Sequence, residues 1–194
     1  MKAVGIYGSP RKGGNTDELL DSALKGIQLK GGDIERVYVR DLKISGCRSC
    51  YGCEKTGICI VKDDMQEIYP LLDEADAVIL ASPIFFYGMT SQIKSLIDRG
   101  QAMWARKRIN KKDEKDGNIN KGKGYLIAVG ATKGENLFEC AKLVAKYFFD
   151  ALNMSYEGGI FFRGMESIDA AKQNPEALQH AHEFGKKLTL RVKG

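Results

Sequence analysis

Short apolar runs and helix-period stripes alternate along this chain from one end to the other. Residues 2–7 (K-A-V-G-I-Y) form a brief apolar run closed by Gly8, and over residues 16–30 Leu19, Leu20, Ala23, Leu24 and Ile27 recur at helical spacing. Residues 34–39 alternate as a second strand. After a cysteine-bearing loop, Asp64 stands where a helix would start, with Glu67 three residues on in the manner of a capping box, so capping is the expected role of the Asp63-Asp64 pair. Residues 77–81 (A-V-I-L-A) predict a buried strand, 82–90 a loop, and 91–105 a helix burying Ile93, Leu96, Ile97 and Trp104. The pattern ends with a strand over 125–129, a helix over 136–152, a strand over 155–162 interrupted at Gly158-Gly159, and a helix over 175–192. Cys140 falls on the apolar stripe of its helix, where a free cysteine acts as a small apolar residue.

Strands that are short, continuously apolar and separated by helices predict an α/β protein: a doubly wound, five-stranded parallel sheet covered by helices on both faces. The 194 residues suit a single domain over 1–194. Ligands of such sheets bind beyond the carboxyl ends of the strands, near the reversal of strand order.

Composition narrows the partners. Apolar residues make up 43% and charged ones 28%, and no apolar run approaches the roughly eighteen residues that a membrane span needs, so a membrane is excluded. The formal charge of +5 is modest, and much of the excess lies in residues 106–123, which read as a charged, mobile excursion; nucleic acid is excluded on the same ground. No basic start leads into an apolar leader, which predicts a cytoplasmic protein with reduced thiols. The two histidines, His180 and His182, sit two apart on the last helix and do not face each other, which leaves imidazole chemistry little to work with.

Four loops could hold a ligand. Gly8-Ser9-Pro10-Arg11-Lys12-Gly13-Gly14-Asn15-Thr16 joins the first strand to the first helix. Glycines that let N–H groups approach an anion, together with Ser9, Arg11, Asn15 and Thr16, predict a phosphate cradle; Lys12 reads as surface. Gly14 stands where a nucleoside triphosphate loop needs its lysine, so a monophosphate fits better. The segment Pro83, Ile84, Phe85, Phe86, Tyr87, Gly88 is apolar and aromatic where a loop should be polar, which suits a planar ring; one phenylalanine is expected to plug the core and Tyr87 or its neighbour to lie by the ligand. The small residues of 130–135 leave further space at the same edge. Between the second strand and the second helix, loop 46–60 holds Cys47, Cys50, Cys53 and Cys59 in the spacing C-x2-C-x2-C-x5-C, which suits the corners of an iron–sulfur cubane. A structural zinc site is the alternative, although zinc motifs usually come as two separated pairs.

Taken together, G-S-P-R-K-G-G-N-T, the cysteine run leading into Val61-Lys62-Asp63-Asp64-Met65, and A-S-P-I-F-F-Y-G-M resemble the iron–sulfur flavoproteins, part of the flavodoxin-like group of NADPH-dependent FMN reductases. The resemblance implies a flavodoxin-like fold and FMN, with Ser9, Arg11, Asn15 and Thr16 on the phosphate and residues 83–88 along the isoalloxazine. It implies a [4Fe–4S] cluster on Cys47, Cys50, Cys53 and Cys59, electron transfer between cluster and flavin, a ferredoxin-type carrier or NAD(P)H as donor, and a homodimer or homotetramer. Two other readings stay open: an NAD(P)H-dependent FMN or quinone reductase whose cysteines hold zinc or nothing, and a non-enzymatic flavodoxin-like redox carrier or sensor. A zinc-stapled binding module is a third.

Overall fold

A computed structural model describes residues 1–112 and 122–191. In chain order these are β1 (Lys2–Tyr7), α1 (Asn15–Gln28), β2 (Asp33–Tyr38), a single 3-10 turn (Val39–Asp41), α2 (Met65–Glu74), β3 (Ala77–Phe85), β4 (Gly88–Met89), α3 (Ser91–Arg99), α4 (Gln101–Lys112), β5 (Lys123–Val129), α5 (Glu139–Ala151), β6 (Ser155–Phe162) and α6 (Pro175–Arg191). Five strands are parallel in the order β2-β1-β3-β5-β6, and β4 pairs antiparallel with the end of β3. This is the flavodoxin-like winding, whose order reverses between β1 and β3.

Alternation within each buried strand sends side chains to two cores. Val4, Ile6, Val78 and Leu80 face α2, α3 and α5, packing with Met65, Leu72, Ile93, Leu96 and Phe149. Ala3, Tyr7, Ile79 and Ile127 face the opposite layer, with Leu19, Leu20 and Leu24 of α1 and Ala181 and Leu188 of α6. Those two helices touch backbone to backbone: a Cβ at Gly26 would lie 2.2 Å from the His182 carbonyl oxygen, so a side chain there would force α1 and α6 apart. Among the described residues no helix is long and apolar enough to cross a membrane.

Several expectations are corrected. The 82–90 segment is not an open loop: β3 runs on through Ser82, Pro83 and Ile84 to Phe85, turns at Phe86-Tyr87 and returns as β4. Pro83 is tolerated because β1 has already ended, its last pair being Tyr7 with Ala81, so β3 is an edge on that side while Pro83 still pairs with Val129 of β5. The 91–105 helix is two helices that meet at Gly100, where a Cβ would lie 2.9 Å from the Ile97 carbonyl oxygen and 3.2 Å from the Phe148 ring. Beyond that break Trp104 points outward, with the Arg108 guanidinium over its ring, instead of joining the core. Cys140 is exposed rather than buried. Of the expected excursion, residues 106–112 continue α4, and 113–121 lie outside the described residues. The Gly158-Gly159 interruption is a register shift within β6, with Gly158 at a φ of +82°.

Candidate functional site

The loop after β1 is fixed at both ends. The Gly8 N–H donates to the Ala81 carbonyl at 2.7 Å, and the Gly8 carbonyl accepts from the Thr90 hydroxyl at 2.6 Å. Thr90 is also the N-cap of α3, its hydroxyl accepting from the Ile93 N–H at 3.4 Å. Within the loop the Ser9 hydroxyl, nearly buried, accepts from the Arg11 N–H at 3.1 Å, and Thr16 is buried in the first turn of α1. That helix starts at Gly14 without a side-chain cap, so its first N–H groups are left to an outside acceptor. Ser9, the exposed Arg11 and Thr16 thus share one turn around an uncapped helix end. Asn15 does not join them. Its amide donates to the Ser167 carbonyl at 2.7 Å and accepts from the Ala171 N–H at 2.9 Å, which ties α1 to the connection between β6 and α6.

A buried ion pair supports this turn from behind. Arg40 and Asp17, only 9% and 5% exposed, meet at 3.0 Å. Arg40 also donates to the Ser9 carbonyl at 3.3 Å, and Asp17 accepts from the Gly13 N–H at 3.0 Å. Burial raises the Asp17 carboxyl above its usual range, against the pull of the Gly13 N–H and Arg40. Arg40 follows β2, and nothing in its local pattern marks it as a partner of α1.

The aromatic hairpin stands at the same carboxyl edge. Pro83 and Ile84 are partly buried, Ile84 against the core, whereas Phe85, Phe86 and Tyr87 are exposed. The expected phenylalanine plug is therefore absent, and Ile84 fills that place. Phe86 and Tyr87 have φ of 49° and 62°, a left-handed turn in which aromatic residues are strained. Tyr87 leans over the loop after β5: a Cβ at Gly134 would lie 2.4 Å from its hydroxyl.

The cysteine loop is bound to the body through charge. Arg99, the last residue of α3 and 1% exposed, donates to Asp63 Oδ2 at 2.7 Å, to the Ser45 carbonyl at 3.0 Å and to the Val61 carbonyl at 3.3 Å. One guanidinium thus joins both ends of the loop. Burial alone would raise the Asp63 carboxyl, but hydrogen bonds from Arg99 and Ser45 outweigh it and hold it at about 2. The expected capping box is not formed: α2 has no side-chain cap, and the Asp64 carboxylate instead accepts from the Lys43 N–H at 2.7 Å. Asp63 Oδ1 takes the Met65 N–H at 3.2 Å.

Inside this frame Cys47, Cys50, Cys53 and Cys59 all line one cavity of about 430 Å³, with Tyr51, Ile60, Val61 and Arg99 also in its wall. All four thiols are free, and burial followed by the neighbouring cysteines pushes the Cys53 thiol up. Among the described residues no three His, Cys, Asp or Glu side chains are gathered tightly enough to hold a single metal ion. As donors, four soft sulfurs around one space suit an iron–sulfur group, whose irons each take their own thiolate.

Comparison with known proteins places this geometry. Residues 1–156 match the family model of the NADPH-dependent FMN reductases. An iron–sulfur flavoprotein of Archaeoglobus fulgidus is 48% identical over 99 residues, a match covering 51% of this chain and 45% of that protein. Like it, two other iron–sulfur flavoproteins are matched over only about half of their length. A second Archaeoglobus fulgidus iron–sulfur flavoprotein is 30% identical over 194 residues, covering 95% of this chain and 94% of that one. Among solved structures, a flavodoxin from the domain Archaea superposes with a TM-score of 0.59 at 19% identity, covering 100% of both chains.

Proposed function

This chain belongs to the NADPH-dependent FMN reductase family and, within it, to the iron–sulfur flavoproteins, and we propose that it is an FMN-binding, flavin-dependent oxidoreductase that passes electrons between FMN and a [4Fe–4S] cluster on Cys47, Cys50, Cys53 and Cys59. The observation that carries this reading is the single cavity lined by all four thiols, on a loop that leaves β2 beside the strand bearing the phosphate turn.

When bound, FMN would exchange electrons in pairs or singly and the cluster would exchange them singly. The chain's own residues divide the remaining work. Ser9, Arg11 and Thr16, with the open N–H groups at the start of α1, hold the phosphate. Asn15 serves the same site indirectly by fixing α1 to the segment before α6. Residues 83–88 present Phe85, Phe86 and Tyr87 to the ring and keep water from that side. Arg99 and Asp63 hold the mouth of the cysteine loop closed. A ferredoxin-type carrier or NAD(P)H serves as donor, and the chain works as a homodimer or homotetramer.

The deciding measurement is the visible spectrum of anaerobically purified protein, with iron, acid-labile sulfide, zinc and FMN assayed on the same sample. About four iron and four sulfide per FMN is the expected result. FMN without iron after attempted reconstitution would sink the cluster and leave an NAD(P)H-dependent FMN or quinone reductase.

A further inference from the structure

Of the charged side chains that line the cysteine cavity, Arg48 and Glu54 stand in solvent and Asp98 is paired with Lys94 at 2.5 Å. Arg99 differs. It is 1% exposed, and its terminal nitrogens serve Ser45, Val61 and Asp63, yet its Nε is buried with no partner among the described residues. That nitrogen is a spare donor on a side chain that lines the space ringed by sulfur. Burial opposes its charge, but the Asp63 hydrogen bond outweighs that and holds the guanidinium protonated.

We propose that Arg99 and Asp63 set the reduction potential of the group held in the cysteine cavity, Arg99 raising it and Asp63 lowering it. The inference rests on the cluster reading. Reduction adds one electron to an anionic four-thiolate cluster, so the fixed cation of Arg99 in its wall favours the reduced form, and the anion of Asp63, paired to Arg99 at 2.7 Å and outside the wall itself, favours the oxidised form. Arg99 and Asp63 are only 1% and 12% exposed, so solvent screens these charges less than it would on an open surface, and their effects have opposite sign.

The test is a potentiometric titration of the reconstituted cluster, with dithionite as the reductant and the EPR signal of the reduced cluster as the readout. FMN absorbance on each sample serves as the control for folding. Arg99→Gln should shift the midpoint to more negative potential, Asp63→Asn to more positive potential, and Arg99→Lys should stay near wild type. A purely structural pair would move Arg99→Gln and Asp63→Asn in the same direction or not at all, and either result overturns the proposal. If Arg99→Gln fails to fold, Asp63→Asn decides: a positive shift supports the assignment and an unchanged midpoint defeats it. A wild type that takes up no iron and sulfide defeats the cluster reading itself; a wild type that does so, with variants at its own potential, defeats only this inference.

Discussion

Asp63 keeps its negative charge although burial works against it, and the sign of its response to acid follows. Its carboxyl sits at about 2 against an ordinary 3.8, so the folded state gains from it above the ordinary value and loses that gain as the pH falls toward 2. Between about pH 4 and 2 the urea midpoint should drop more steeply for wild type than for Asp63→Asn. Equal slopes would show that Arg99 does not favour the carboxylate. The other buried pair predicts a larger loss. Arg40→Met leaves Asp17 buried with one N–H for support and should cost about 3 kcal/mol in urea unfolding, part of it restored by adding Asp17→Asn. A full loss in the double variant would mean that Arg40 stabilises through packing alone. Neither pair was legible in the sequence. The partners lie on different elements, joined only by the fold, and local spacing offered capping as a sufficient account of Asp63 and Asp64.

At the scale of elements, the hairpin shows why pattern reading stopped short. The run A-V-I-L-A-S-P-I-F is apolar enough for a longer strand, but Pro83 argued for a loop, and only the early end of β1 makes the proline harmless. The turn that follows has positive φ at two aromatic residues, where Asn-Gly would be relaxed. Phe86 touches little, being fully exposed, so Phe86→Asn should raise stability by about 1 kcal/mol, read as a thermal midpoint higher by about 2–4 °C. The same change should weaken FMN binding if the aromatic tip covers the ring. A variant that is stabilised and binds FMN with undiminished affinity would remove Phe86 from the site. The break at Gly100 escaped for a related reason: the apolar spacing runs across it, and the approach of Phe148 that requires a glycine comes from α5, far along the chain.

Across the whole molecule the strands, their parallel order and the sheet edge that carries the loops were legible, because strict alternation of apolar runs and stripes admits few windings. How the loops are held together was not, and α3 supplies the answer. Its N-cap Thr90 holds the Gly8 carbonyl at the phosphate turn, and its last residue Arg99 holds the cysteine loop, so nine residues, about 14 Å of helix, stand between the two sites. The sites are fixed by opposite ends of one rigid element and by different side chains. Loss at one end should therefore spare the other. Thr90→Val removes both the Gly8 hydrogen bond and the cap, and should weaken FMN binding by about tenfold with iron content unchanged. Cys50→Ala should do the reverse, losing iron and sulfide while FMN stays bound, since the loop is anchored by Arg99 and Asp63 and not by its sulfurs. FMN titration beside iron analysis on both variants checks the pair. Joint loss of FMN and iron in Cys50→Ala would mean that the cysteine loop supports the phosphate turn directly, and α3 would no longer explain the separation.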